Sequence, residues 1–304
     1  MSADIIKIGM INTNLEQMIR LTVVTATYNV VNAGRARVLE RCVRSVAALK
    51  TPHEHLIYDG ASNDGTAILL RDLEKIHSGL KVLSEPDAGI YDALNKGVRD
   101  AKGEWFYVLG DDDYIEDAEE LSYVMRRAEQ ESADVVVASV NHGGRGVLFT
   151  SRKELSRLFS CNQYSHQGMI VKTKLLRQLG GFDLHYRICA DYKMALQLQS
   201  MGVKHLYSFK SFAFYSEGGI SEYRDAEARR EMALALSELL HLTKEEEIRQ
   251  AAKRILPIMK VLPYLFHRNK YFRWSALNQI VRRICDLVGL INEKGQLSWA
   301  KTSR

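Results

Sequence analysis

Strand-like apolar runs alternate with helical patterns along the first 120 residues, and each run stops in a polar cluster. "LTVVTATYN" (21–29) is β-branched and ends at Asn29, "EHLIYDG" (54–60) enters "DGASNDGT" (59–66), and "LKVLSEP" (80–86) enters "EPDAG" (85–89). The aromatic run from Trp105 to Leu109 feeds "GDDD" (110–113). Runs of this kind predict buried strands. Between them, apolar residues fall at helical spacing over 36–49 (Val38, Leu39, Cys42, Val43, Val46, Leu49), and further helices are predicted over 65–77 and 89–101. Such alternation implies βαβ units with right-handed crossovers and a mainly parallel sheet. Ligands of such sheets bind beyond the carboxyl ends of the strands, so the four polar clusters are expected to meet in one crevice.

The triad Asp111, Asp112 and Asp113 is the least ordinary of these clusters. Adjacent carboxylates repel and raise one another's pKa, and a helix cap or turn needs only one of them. A divalent cation is the simplest remedy, since hard cations such as Mg²⁺ or Mn²⁺ take carboxylate oxygens. Taken alone, "SNDGT" reads equally well as turn chemistry, because Ser, Asn, Asp and Gly favour turns for structural reasons.

Length and composition fit this reading. A chain of 304 residues, 46% hydrophobic and 26% charged, can bury a large α/β core with an appendage. Four separated cysteines (Cys42, Cys161, Cys189, Cys285) without a CxxC pair suggest neither a zinc site nor a disulfide framework, and a reducing compartment is expected. No signal-like or membrane-spanning run is read from the sequence. The net charge of +5 is uneven: nine Lys or Arg and no Asp or Glu lie between Ile248 and Arg283.

Past the triad, "ADVVVASV" (133–140) predicts a strand and "GGRGVLFT" (143–150) a hairpin arm. "HQGMIVKTKLLRQLGGFD" (166–183) predicts a strand and a short helix closed by Gly180 and Gly181. "ADYKMALQLQSMG" (190–202) predicts a helix, "KHLYSFKSFAFY" (204–215) a strand, and "SEGGIS" (216–221) a flexible loop. From about 225 the pattern turns helical. This suggests an N-terminal extension (1–20), an α/β domain over 21–222 and a helical basic region over 223–304. The domain would divide into a nucleotide-binding half (21–118) and a second half (119–222), which the resemblance described below makes the acceptor half.

Taken in order, "LTVVTATYN", "YDGASNDGT" and "SEPDAGIYDALNKGVRDAKGEWFYVLGDDDYI" resemble the family 2 glycosyltransferases, in particular bacterial surface-polysaccharide enzymes with an "EPDxGIYDAxNKG" segment. The resemblance spans roughly 20–222 and continues through "SHQGMIVKTKLLRQLGGFDLHYRICADYKMALQL". It implies a GT-A type nucleotide-sugar-binding α/β fold with a mainly parallel central sheet. It further implies metal-dependent, inverting transfer of a sugar from a nucleotide-sugar donor, with UDP as the expected nucleotide, to a glycan or lipid-linked acceptor.

By the same resemblance, Thr25, Thr27 and Tyr28 line the nucleoside pocket and Asp59 accepts a hydrogen bond from the base. Gly60 stands where family members often carry a second Asp, which leaves base specificity open. Asp87, Gly89, Asn95 and Lys96, with Tyr91 and Asp92, shape the diphosphate and sugar region; an exposed helix face is the alternative for Asn95 and Lys96. Asp112 and Asp113 are the metal-ligand candidates, with Asp111 on the ribose or behind the metal; pairing Asp111 with Asp113 is the other register. Asp191 is the candidate base, or else an N-cap of its helix, and Ala190 departs from the Glu-Asp of many members. His166 and Gln167 fall to the acceptor or donor pocket. Gly218 and Gly219 fall to a loop closing on the donor.

The basic tail mixes Lys and Arg with Leu, Ile, Phe, Trp and Tyr, and Pro257 and Pro263 divide it. It reads either as amphipathic helices docking at the inner face of the plasma membrane, peripheral and cytoplasmic, or as a helical lid. Two other functions stay open from sequence: a non-catalytic sugar-nucleotide or nucleic-acid binding module, and a nucleotidyltransferase. No nucleic-acid motif accompanies the basic charge, so nucleic acid is not an expected partner. "TATYNVVNAGRAR" only poorly supplies the Gly-rich loop of a nucleotidyltransferase.

Overall fold

The computed structural model describes residues 19–143, 146–148 and 165–216, together with single positions between 227 and 238. The expected alternation is present. Strands β1 (Leu21–Thr27), β2 (His53–Asp59), β3 (Leu80–Ser84) and β4 (Trp105–Val108) alternate with helices α1 (Ala36–Ala47), α2 (Thr66–Ile76) and α3 (Ile90–Asp100). After a short strand β5 (Tyr114–Ile115) come α4 (Ala118–Gln130), β6 (Val135–His142), β7 (Gly146–Leu148), β8 (Met169–Lys172), α5 (Thr173–Leu179), α6 (Ala190–Ser200) and β9 (His205–Tyr215). Helix α4 and strand β5 are not among the expected elements. The signal for α4 lies in its residues: Asp117 caps it by accepting from the Glu120 amide, and Leu121, Val124, Met125 and Ala128 are buried at helical spacing.

The strands form one nine-stranded sheet in the order β3-β2-β1-β4-β8-β6-β9-β5, with β7 on β6. Strands β3, β2, β1 and β4 are mutually parallel. Beyond β4 the sheet is mixed: β8 is antiparallel to β4 and β6, while β9 is parallel to β6 and antiparallel to β5. Register decides where the crevice lies. Thr27 pairs with Asp59, and Asp59 with Ser84, so β1, β2 and β3 end level. Strand β4 ends earlier, with Val24 opposite Val108, and the Gly110–Asp113 turn fills the space left beneath Thr27.

Both faces of the sheet are covered, which is why β1 reads as a nearly continuous buried run. On one face, Leu21, Val23, Trp105 and Tyr107 pack against Cys42 and Val46 of α1 and Leu121, Val124 and Met125 of α4. On the other, α3 lies close on β1. A Cβ placed on Gly97 would stand 2.6 Å from Val24 Cγ1 and 2.9 Å from its Cγ2. Among the described residues no helix is long and apolar enough to cross a membrane. The compact unit holding the sheet continues past β9 to Ala235. The 223–304 tail is otherwise outside the described residues, as are Gly218 and Gly219.

Gly97 is therefore a packing residue inside a helix. Replacing it by Ala adds helix propensity of about 1 kcal/mol but crowds Val24, and overpacking costs about 1–3 kcal/mol. Gly97→Ala is expected to lower the midpoint of denaturant unfolding, and Val24→Ala in the same chain to recover part of that loss. A single variant as stable as the parent would contradict the packing argument.

Candidate active site

The three carboxylates of the acid turn are held in three different ways. Asp111 is buried: its Oδ2 accepts from Thr27 Oγ1 at 2.8 Å and its Oδ1 from Arg35 Nη1 at 2.5 Å. Asp113, 1% exposed, accepts from Gln167 Nε2 and from the Ser216 amide, each at 2.8 Å. Asp112 is the most open, with 27% of its side chain exposed and Arg35 at 4.0 Å. Gly110 makes the turn possible, because a Cβ there would lie 2.6 Å from Asp113 Oδ2 and 3.0 Å from Asp112 Oδ1. Behind the turn, Cys42 donates to the Gly110 carbonyl at 3.4 Å, and burial keeps its thiol far above the ordinary range.

Burial, and then the Asp112 charge, push Asp113 up to about 6. Asp111 is also raised by burial, against the opposing pull of Arg35 and Thr27. Arg35 comes from "NAGRAR" at the start of α1, and sequence reasoning missed it; 76 residues separate it from Asp111, so no local spacing links them. Ser216 was missed for the same reason. Its hydroxyl donates to the Asp112 carbonyl at 2.6 Å, closing the end of β9 onto the acid turn.

The donor-side candidates divide into surface and support. Tyr28 projects from the end of β1, 58% exposed. Asp87 accepts from the Gly89 amide at 2.9 Å, and its Oδ2 would meet a Cβ on Gly60 at 2.9 Å, so the missing second Asp leaves room that Asp87 occupies. Thr25 does not line the crevice. It is fully buried, donates to Leu109 O at 2.9 Å and lies 3.0 Å from His55 Nε2, joining β1 to its two neighbours. Burial lowers the His55 pKa to about 3, so this ring is neutral.

Asp59, 1% exposed, accepts from Ser62 and from Ser84 Oγ at 2.6 Å; its carboxylate orders the β2 loop. "SNDGT" is stitched to the β1 loop: Asn29 accepts from the Asn63 amide, and Asp64 accepts from Asn32 and Thr66. Asn95 and Lys96 do not form an exposed helix face. Asn95 donates to Phe182 O at 2.8 Å and accepts from Phe182 N at 2.7 Å, while buried Lys96 binds Pro86 O at 2.8 Å and Glu85 at 2.9 Å. Asn95 thus clamps the Gly-Gly-Phe-Asp turn.

A second acidic group stands beside the first. Asp191 is in the first turn of α6, but the N-cap position is Cys189, so capping does not account for Asp191. Its Oδ1 accepts from the Tyr192 amide at 2.8 Å and lies 3.1 Å from the Tyr91 hydroxyl; its Oδ2 lies 3.4 Å from His166 Nδ1. Burial disfavours a charged His166, but Asp191, Asp113 and Asp112 more than offset it and hold the ring above the ordinary histidine range. His166 and Gln167 share one 3₁₀ turn (His166–Gly168). One faces Asp191 and the other binds Asp113, so adjacent residues tie the two acidic groups together.

No three His, Cys, Asp or Glu side chains converge into a closed metal cage among the described residues. An open carboxylate beside two anchored ones suits Mg²⁺ or Mn²⁺ instead, which commonly take one or two carboxylates and complete their shell with phosphate and water. A cleft of about 420 Å³ also opens at the other end of the strands, lined in part by Lys50, His53, His77 and Ser78, and contains no carboxylate.

The raised pKa of Asp113 fixes the sign of a pH effect. Its ordinary value is 3.8. The protonated form is favoured in the fold, so the stabilisation is complete below about pH 4 and is lost as pH rises through about 6. The ionised residue then costs about 3 kcal/mol at neutral pH. The stability of Asp113→Asn relative to the parent, measured by urea unfolding without divalent cations, should rise between pH 4 and 7. Parallel curves would refute this account.

The comparisons agree with the geometry. The model for glycosyl transferase family 2 matches residues 22–190, more than half of the 304-residue chain. A Mycobacterium tuberculosis PGL/p-HBAD biosynthesis glycosyltransferase is 29% identical over 191 residues, covering 61% of this chain and 75% of the relative. Escherichia coli chondroitin synthase is 28% identical over 182 residues, 56% of this chain and 26% of that protein. Among solved structures, S. aureus TarS residues 1–349 in complex with UDP superposes with a TM-score of 0.61 at 16% identity, covering 89% of this chain and 82% of that one. The mannosyltransferase PcManGT from Pyrobaculum calidifontis, in complex with GDP-Man and Mn²⁺, gives 0.59 at 18% identity, covering 89% and 75%. With this sheet and these acidic ends of its strands, the chain belongs to the family 2 glycosyltransferases and has a GT-A type fold.

Proposed function

We propose that this glycosyltransferase moves a sugar from a UDP-sugar to a glycan or lipid-linked hydroxyl, with inversion and with a divalent cation at Asp112. The observation that carries the reading is the His166–Gln167 turn, which sets Asp191 next to the acid turn. The donor diphosphate would lie at Asp112, with Tyr28 on its nucleoside side and Asp87 near the diphosphate and sugar. Asp113, with both oxygens engaged, orients the turn, and Arg35 supplies a counter-charge. When bound there, a divalent cation neutralises the charge that builds on the departing diphosphate. The UDP of the TarS complex supports that nucleotide, and the Mn²⁺ of the PcManGT complex supports the metal.

In the transfer step the acceptor oxygen forms a bond to the anomeric carbon. The bond from that carbon to the diphosphate oxygen breaks, its electron pair leaving with the diphosphate. Asp191 takes the acceptor's proton, held on the side of the sugar away from the leaving group. Tyr91 and the Tyr192 amide fix Oδ1 of that carboxylate. An α-linked donor would give a β-linked product.

The test is a thermal-shift panel of UDP, GDP, CDP and dTDP with their common sugars, with and without Mn²⁺, since ligands that bind the native state raise its melting temperature. A Mn²⁺-dependent shift with UDP is expected. Asp112→Asn should abolish that shift. Asp191→Asn should keep it and lose about 10²–10⁴-fold in turnover. Near-normal turnover in Asp191→Asn would remove the base assignment, and a shift indifferent to Mn²⁺ would remove the metal.

The basic tail supports a membrane-associated acceptor, with anionic lipid contributing about 1 kcal/mol per nearby Lys or Arg. The full chain should co-sediment with vesicles containing phosphatidylglycerol and not with pure phosphatidylcholine, and salt should release it. Equal binding to both lipids would count against an electrostatic dock.

A further inference from the structure

Glu231 lies beyond β9, in the stretch where the sequence changes to a helical pattern, yet its carboxylate reaches back to the corner that carries Asp191. Its Oε1 accepts from the Arg187 amide at 2.8 Å, and its Oε2 accepts from Ile188 at 2.9 Å and Cys189 at 2.8 Å. These are the three amides immediately before α6. Cys189, at the N-cap position, forms no side-chain capping bond, and Ser, Thr, Asp or Asn would be the usual residue there. The amide at the N-cap position and the two before it are therefore held by a carboxylate 42 residues away from Cys189. Bonds to a carboxylate are stronger than neutral ones, and the helix dipole favours negative charge at this end.

The same peptide is held from its carbonyl side. The Tyr91 hydroxyl lies 2.6 Å from Ile188 O and 3.1 Å from Asp191 Oδ1. Cys189 Sγ packs toward the Ala228 carbonyl at 3.5 Å, and Ala228 and Ala235 are buried, so the Glu231 stretch is seated on this corner. Asp191 follows two residues after Cys189 and takes its place from it.

We propose that Glu231 is a positioning residue for the transfer reaction: it fixes the 187–189 corner so that the Asp191 carboxylate stays between Tyr91 and His166. The proposal rests on Asp191 as the base. Glu231 need not touch donor or acceptor; it acts through the backbone. Misplacing a reacting group by 1 Å can cost about 10²-fold in rate, which sets the scale of effect.

The experiment compares Glu231→Ala and Glu231→Gln in the full chain, with UDP and Mn²⁺ as the binding probe and UDP release from the donor chosen by the panel as the rate. Glu231→Ala should lower kcat about 10- to 100-fold and leave UDP affinity in Mn²⁺ within about twofold, since uniform binding is untouched. Amide exchange should quicken at Arg187, Ile188 and Cys189. Glu231→Gln should recover part of kcat, because one carbonyl oxygen still accepts. Unchanged kcat despite faster exchange, or equal losses of kcat and UDP affinity, would overturn the proposal. If the Ala variant does not fold, the Gln variant decides on the same two readouts. Turnover surviving in Asp191→Asn would instead defeat the base assignment, and it is read on a separate protein.

Discussion

Three adjacent carboxylates at the end of a buried strand repel one another, and the surrounding structure is arranged around that repulsion. Asp111 is held from the β1 side by Thr27 and Arg35. Asp113 is pinned from the other half of the sheet by Gln167 and the Ser216 amide. Asp112 keeps its carboxylate toward solvent. Burial, and then the Asp112 charge, raise Asp113 to about 6, so its ionised form is disfavoured in the fold. The proposed cation at Asp112 would offset that charge.

The same arrangement explains why β4 is short. Had β4 run level with β1, the acid turn would project past Thr27 and lose its hydroxyl partner. By stopping opposite Val24, the strand lets Asp111 sit beneath Thr27 and leaves Gly110 where only a residue without Cβ fits. Small side-chain requirements of this kind are structural consequences of packing three acids into four residues.

Much of this was legible in the sequence. Apolar runs ending in polar clusters give β1 to β4, their helices and the crevice, because strand burial and turn chemistry are local. The triad stood out because no turn needs three carboxylates. What escaped was long-range. Arg35, Ser216 and Glu231 act on residues 76, 103 and 42–44 positions away, and nothing in their neighbours marks them. Thr25 and Asn95 sit in motifs that suggest ligand contact, yet Thr25 joins three strands and Asn95 clamps Phe182. A motif identifies which polar residues matter. It does not say whether a side chain faces the ligand or holds the one that does. Helix α4 is a different kind of miss, since its cap and its apolar spacing were both in plain view.

Asp113 also bears on whether the parallel half could act alone as a sugar-nucleotide binding module. Its two partners come from the turn before β8 and from the end of β9, both beyond the nucleotide-binding half. Asp113 is 1% exposed in this fold, and that second half supplies both of its donors. The acid turn therefore takes its final form only when the second half of the sheet is in place. That half also brings His166 and Asp191. The acid turn and the Asp191 carboxylate are thus parts of one structure, as the proposed transfer requires.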